Sequence, residues 1–180
     1  MTRSDLIGVY KRLYEKSTYG EFKRSHKVII NRIKSFKAIG IKTVFEIGCG
    51  RGFVLKNFQD AGMHASGIEP CLSVIKMNSG IAIFPYMIHE CHKFVDDKTF
   101  DMVYSINVID HLASDNDCMI AITESMRMAK KLVIHIVNGD CRLQTIKKNG
   151  FEWEQILKSF GTTTRVEDRS TAGVLLSIKI

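Results

Sequence analysis

Val44-Phe-Glu-Ile-Gly-Cys-Gly-Arg-Gly52 is the stretch from which the fold is legible. The β-branched and apolar run Thr43 to Ile47 ends at a glycine, and glycines recur at 48, 50 and 52. Such a run predicts a strand, and glycine suits a sharp turn where backbone approaches a ligand with no Cβ in the way. A helix is predicted from about Arg51 to Asp60, with Gly62 as its terminator. In an open α/β sheet ligands bind outside the carboxyl ends of the strands, which is where this loop falls.

The glycine spacing narrows the ligand. A dinucleotide fingerprint, G-x-G-x-x-G, counted from Gly48 requires glycine where Phe53 stands, and a P-loop requires a Gly-Lys pair that is absent here. Neither phosphate-binding loop is matched.

Outward from the loop, strand and helix signals alternate. Candidate strands are Ala65–Glu69, Ile81–Tyr86, Phe100–Ile106 and Lys131–Val137, with a short helix near Ser73–Asn78 and a longer one from about Asp115 to Met128. A helix over Phe151–Phe160 precedes two strands, Thr162–Asp168 and Gly173–Ile180, joined by a short turn and therefore antiparallel. The expectation is an α/β three-layer sandwich around a mostly parallel seven-stranded sheet ending in an antiparallel hairpin. Ahead of it, Leu6, Val9, Tyr10, Leu13 and Tyr14 recur at helical spacing. Thr18-Tyr-Gly-Glu21 has the capping-box form for a second helix bearing Phe22, Ile29, Ile33 and Phe36 and closed by Gly40.

At 180 residues the chain fits one domain, residues 1–180, with 1–38 as a helical lid segment and 42–180 as the core. The start, Met1-Thr-Arg-Ser-Asp-Leu, has no signal-peptide character, and apolar runs such as Leu132–Val137 are too short to span a membrane. The 5 cysteines, with no C-x-x-C pair, fit reduced thiols in the cytoplasm. Charge is uneven: residues 1–43 hold 11 Lys/Arg against 3 Asp/Glu, while the rest holds 15 against 16. The basic segment is either a patch for an anionic partner or the solvated face of amphipathic helices.

Glu46-Ile-Gly-Cys-Gly-Arg-Gly52 resembles the first motif of class I S-adenosylmethionine-dependent methyltransferases, an acidic residue followed by G-x-G-x-G. Glu69, 17 residues beyond Gly52, stands where that family places the acid for the two ribose hydroxyls, and Phe100 to Leu112 is similar to its fourth-strand motif. The resemblance covers roughly residues 42–180. It implies S-adenosyl-L-methionine as cofactor and S-adenosyl-L-homocysteine as product. It also implies cofactor contacts from Glu46, Gly48, Cys49, Gly50, Gly52, Glu69, Pro70, Asn107 and Val108. Where the family has an acid for the adenine amino group this chain departs, with His89 at the aligned position and Glu90 beside it.

Each assignment has a plainer counterpart. Glu46 is a ligand for the donor's ammonium group or a salt-bridge partner at the sheet top. Glu69 is a ribose acid exposed in the cleft or an N-cap before Pro70. His89-Glu-Cys-His92 has metal-ligand residue types, but four consecutive loop positions are not the usual ligand spacing. His111, in Val-Ile-Asp-His, is by residue type a candidate base, or else a histidine that caps the loop or packs beside the cofactor.

Three functions remain. One is a methyltransferase for a small molecule, saccharide or lipid precursor. Another methylates nucleic acid or protein, docked through the basic segment. The third is a non-catalytic module that binds the cofactor. The acceptor and the oligomeric state have no signature in these motifs. Little chain lies between Val137 and the final helix to cover a substrate, so the N-terminal helices are expected to do so, with Tyr10, Tyr14, Tyr19 and Arg24 as possible contacts.

Overall fold

The computed structural model describes residues 3–15, 23–75, 80–138, 146–168 and 173–180. Its strands are β1 (Thr43–Ile47), β2 (His64–Ile68), β3 (Ala82–Phe84), β4 (Phe100–Ile106), β5 (Ala129–Asn138), β6 (Thr162–Asp168) and β7 (Gly173–Lys179). They form one sheet in the order β3-β2-β1-β4-β5-β7-β6. The pairs among β1 to β5 are parallel, and β7 runs antiparallel to both β5 and β6. A short connection such as that between β6 and β7 permits only an antiparallel return, whereas parallel neighbours need a crossover.

Two strand ends differ from expectation and bear on the site. β2 stops at Ile68, so Glu69 stands one residue past the strand, in the turn. β3 is 3 residues long rather than spanning 81–86, because Pro85 has no N–H for the ladder and Tyr86 N closes a tight turn to Phe84 O at 2.9 Å.

The helices are α1 (Arg3–Glu15), α2 (Lys23–Ile30), α3 (Ile33–Ala38), α4 (Phe53–Asp60), α5 (Leu72–Ile75), α6 (Asp115–Met128) and α7 (Gly150–Lys158). The single second helix expected from the periodicity is two, α2 and α3, separated by a turn at residues 31–32. The Thr18–Glu21 capping box lies outside the described residues, as does the expected end of α5 at Asn78. Caps are visible elsewhere. Ser114 Oγ accepts from Asp117 N to start α6, and Asn149 with Glu152 forms a reciprocal box at α7.

Alternation along the central strands sorts two apolar layers. Phe45, Ile47, Val103 and Val133 pack with α6 and α7 through Ile122, Trp153 and Leu157. Val44, Met102, Tyr104 and Ile134 pack on the opposite face with Val54, Leu55 and Phe58 of α4. Val28, Ile29 and Phe36 also belong to this second layer, and the Phe36 and Phe58 rings stack at 6.3 Å. Both α2 and α3 thus contribute core side chains, and among the described N-terminal residues only those of α1 line the cleft at the carboxyl ends of the strands.

Candidate functional site

The carboxyl ends of β1, β2 and β4 open into one cleft enclosing about 1150 Å³, its open mouth included. The loop after β1 forms its floor. Gly48 and Gly50 take left-handed backbone at φ +65° and +53°, where a Cβ is strained. There is also no room for one. A Cβ on Gly48 would lie 2.6 Å from Val108 Cγ2, and one on Gly50 would lie 2.8 Å from the Tyr14 hydroxyl. The loop is thus clamped between the segment after β4 and helix α1.

Glu46 faces Tyr104 across the β1–β4 register, and the Tyr104 hydroxyl donates to Glu46 Oε2 at 2.8 Å. At 3% exposure the carboxyl is almost dry. Burial pushes its pKa up to about 8, the Tyr104 bond opposes this, and the nearby Glu69 charge adds to the rise. Glu46 has no cationic partner among the described ion pairs; it is a proton-holding acid hydrogen-bonded to a tyrosine.

Glu69 is buried rather than exposed, at 7%. Its Oε2 accepts from Gly50 N at 3.1 Å and its Oε1 from Cys71 N at 2.9 Å, so one carboxylate ties the glycine loop to the start of α5. Burial raises its pKa against the pull of those two N–H groups. The capping and ribose roles are compatible, since a carboxylate has about four lone-pair sites and two are used here.

After β4, Asn107 adopts φ +53° while its N–H donates to Ile136 O at 2.7 Å. Its side-chain amide is buried, lines the cleft and has no hydrogen-bond partner at either Oδ1 or Nδ2. An orphaned buried amide on left-handed backbone is unfavourable for folding alone. His111 lies in the adjoining 3-10 turn (Ile109–His111), 3% exposed, with Nδ1 2.6 Å from the Tyr10 hydroxyl and Nε2 3.5 Å from Asp110 Oδ2. Tyr10 and Tyr14, a turn apart on α1, both line the cleft with Ile7, and the Arg51 guanidinium sits 5.9 Å from the Tyr14 ring centre.

Of the residues singled out from sequence, Glu46, Gly48, Cys49, Gly50, Glu69, Pro70, Asn107, Val108 and His111 meet in this cleft. Gly52 stands behind it as the left-handed N-cap of α4. His89 and Glu90 are not in its wall. Both belong to the 3-10 helix Ile88–Lys93, where Glu90 Oε2 accepts from Met87 N at 2.9 Å and Glu90 pairs with Lys93, and His89 lines a separate small hollow. Tyr86, Met87 and Ile88 line the cleft at that position instead. Tyr19 lies outside the described residues, and the side chain of Arg24 is not described. No group of three His, Cys, Asp or Glu suited to a metal occurs among the described residues.

The sequence reading missed Tyr104, whose partnership with Glu46 follows from strand register alone, and Met87 and Ile88, which are apolar and carry no motif. The cleft suits a cofactor with vicinal hydroxyls, an ammonium, a carboxylate and a flat base: a carboxylate at Glu69, an unsatisfied amide at Asn107, an acid at Glu46 and an apolar wall at Met87–Ile88.

Comparison with known proteins agrees. A family model described as a methyltransferase domain matches residues 19–163. A ubiquinone biosynthesis O-methyltransferase of Hydrogenovibrio crunogenus is 23% identical over 160 residues, 83% of this chain and 66% of the relative, so the chain spans about two thirds of that protein's length. An S-adenosylmethionine-dependent methyltransferase from Archaeoglobus fulgidus superposes with a TM-score of 0.71 at 14% identity, covering 95% of this chain and 100% of the other. Magnesium protoporphyrin IX methyltransferase from Synechocystis, with S-adenosylhomocysteine bound, superposes at 0.70 and 13% identity, covering 97% and 99%. With its glycine loop and its sheet order in place, the chain belongs to the methyltransferase domain family and has the Rossmann-like fold of solved S-adenosylmethionine-dependent methyltransferases.

Proposed function

We propose that this domain transfers a methyl group from S-adenosylmethionine to a hydroxyl oxygen on a small, largely apolar acceptor. The observation that carries the reading is the composition of the cleft wall. Apolar side chains line much of it, among them Ile7, Ile47, Ile68, Phe53, Met87 and Leu112, and Arg51 is its single Lys/Arg among the described residues. A polyanionic acceptor needs rows of cations on its phosphates, whereas a pocket of this kind desolvates an apolar ring and orients it with a few polar groups. The relatives named as O-methyltransferases support oxygen as the receiving atom.

In this reading Glu69 accepts from the ribose hydroxyls, Glu46 and Asn107 hold the amino-acid end, and Met87 and Ile88 flank the adenine. The cofactor, when bound, supplies an electrophilic methyl on a sulfonium. The chain's task is then alignment, which contributes roughly 7–11 kcal/mol to lowering such a barrier. Four described cysteines, Cys49, Cys71, Cys91 and Cys118, are free and buried, which suits a reducing, cytoplasmic setting. No helix among the described residues is long and apolar enough to cross a membrane. An anionic partner on the basic segment, where Lys27, Lys34 and Lys37 are exposed, is a separate proposal. Oligonucleotide binding that falls steeply with salt supports it.

The test is incubation with methyl-labelled donor and, in parallel, simple phenols, a lipid extract, transfer RNA and total protein. Label is expected in an organic-soluble ether. Label in RNA or protein overturns the small-molecule reading, and cofactor binding without any turnover favours a non-catalytic module.

A further inference from the structure

On the cofactor reading above, the base of the donor lies against Tyr86, Met87 and Ile88. Adenine presents an exocyclic amino group there, and a carboxylate is the strong acceptor for such a donor. Among the described residues two carboxyls line the cleft, Glu46 and Glu69, and both are engaged elsewhere. Glu46 accepts from the Tyr104 hydroxyl at 2.8 Å, and Glu69 gives one oxygen to Gly50 N and the other to Cys71 N. Glu90, two residues beyond the wall, turns back on its own helix. Its Oε2 accepts from Met87 N at 2.9 Å and its Oε1 lies 3.6 Å from Lys93 Nζ. The Met87 N–H holds this carboxyl below the ordinary carboxylate range. Met87 O is occupied as well, accepting from Glu90 N at 2.9 Å. Asp117 lines the second, smaller hollow and not the cleft, and its Oδ2 accepts from the Ser114 hydroxyl at 2.9 Å.

The wall is also thin. The second hollow, about 270 Å³ with its open mouth included, shares Met87, Ile88 and Leu112 with the cleft and adds His89, Asp117 and Ile120. Side chains with open space behind them can shift without overlap, which a close-packed interior does not allow. At the rim Tyr86 is 39% exposed, its ring centre 4.4 Å from that of Phe94, so water reaches the cleft at this end.

Resting on the cofactor reading, we propose that the donor site recognises the base by its flat apolar face and not by its exocyclic amino group. Sulfonium donors built on other 6-substituted purines, and the thioethers they leave behind, are then accepted as well as the adenine compounds. A site rejects an altered base when the change leaves one of its own buried polar groups unpaired. Here the acid that would suffer is tied to Met87 N and Lys93 whether or not the amino group is present. The amino group keeps its hydrogen bonds to water at the rim, and a purine without it loses nothing on binding. Selectivity for the donor then rests on its other end, with the ribose hydroxyls at Glu69.

Calorimetry on the full chain tests this with three thioethers: S-adenosylhomocysteine, its analogue with hydrogen in place of the 6-amino group, and its N6-methyl derivative. Their dissociation constants are expected to agree within about threefold. An acid deprived of its donor would instead weaken the deaminated compound by about tenfold or more. Glu90→Gln should leave the ratio between the adenine and deaminated compounds unchanged. Ile88→Ala, which cuts back the apolar wall, should weaken all three by a common factor of about threefold or more. A loss beyond about threefold for either altered compound in the unmutated chain overturns the proposal, and so does a ratio that Glu90→Gln changes. Failure of S-adenosylhomocysteine itself to bind, or an Ile88→Ala protein with all three affinities intact, overturns the placement of the cofactor instead. The two failures are separable, because the first is read from a ratio of ligands and the second from the binding of any of them.

Discussion

Glu46 and Glu69 place two carboxyls in one cleft, and burial raises the pKa of both. For Glu46 the folded protein holds the proton up to about pH 8, while the unfolded chain releases it near 4.5. The unfolded state thus binds fewer protons over that interval, so stability falls as pH rises from about 4.5 to 8 and levels off above it. Every tenfold gain in proton affinity on folding corresponds to about 1.4 kcal/mol, so Glu46→Gln should flatten this slope and raise the melting temperature at pH 8. Melts across pH 5–9 with an unaltered slope would refute it. A bound ammonium group favours the Glu46 carboxylate, so cofactor binding should release a proton and tighten toward pH 8. Calorimetry in two buffers of different ionisation enthalpy measures that proton, and Glu46→Gln should abolish it. Glu69→Ala removes the proposed ribose acceptor and a brace together. Cofactor binding should weaken by about 1.5–3 kcal/mol. Because Gly50 N and Cys71 N lose their acceptor, the unliganded protein should also lose about 1–2 kcal/mol. Unchanged unliganded stability in chemical denaturation would show that the brace is idle.

At the scale of elements, the site is a set of loop ends held against one another by short-range packing. The β1–α4 loop touches the post-β4 segment through Gly48 and Val108, and touches α1 through Gly50 and Tyr14. Gly48→Ala puts a Cβ onto backbone at φ +65° and 2.6 Å from Val108 Cγ2. The strain is about 1–2 kcal/mol, and the displaced Val108 carries its neighbour Asn107 with it. The expected outcome is a folded protein destabilised by about 1–3 kcal/mol, with cofactor affinity reduced at least tenfold. Denaturant titration and calorimetry on the same sample read both. Full affinity would mean that the post-β4 segment adapts independently of the loop.

At the scale of the whole molecule, the N-terminal segment divides in two. α1 contributes Ile7, Tyr10 and Tyr14 to the cleft, while Val28, Ile29 and Phe36 are buried in the layer beneath α4. Removing residues 1–22 should therefore leave a folded sheet with weakened cofactor binding and lost turnover. Removing residues 1–38 also strips three core side chains, each of whose burial is worth roughly 1.5–3 kcal/mol, and should yield a protein with sharply reduced stability. Far-ultraviolet circular dichroism melts of the two truncations separate these outcomes. Equal stability would contradict the core assignment.

The sequence alone determined the sheet, because its signals are local. The β-branched and apolar run Thr43–Ile47, the glycines at 48, 50 and 52 and the terminal strand pair act within a few residues of themselves. The glycine loop was legible for the same reason, whereas Glu69 was singled out by the family resemblance. Tertiary structure decided what depends on two distant segments meeting. The Glu46–Tyr104 bond is set by parallel register across 58 positions, and the Tyr10–His111 contact by the docking of α1 across 101. It also decided that Met87 and Ile88, rather than His89 and Glu90, face the cleft, since Glu90 turns back to cap its own helix. Spacing along a chain fixes which way a strand's side chains alternate. It does not say which remote group waits on the other side.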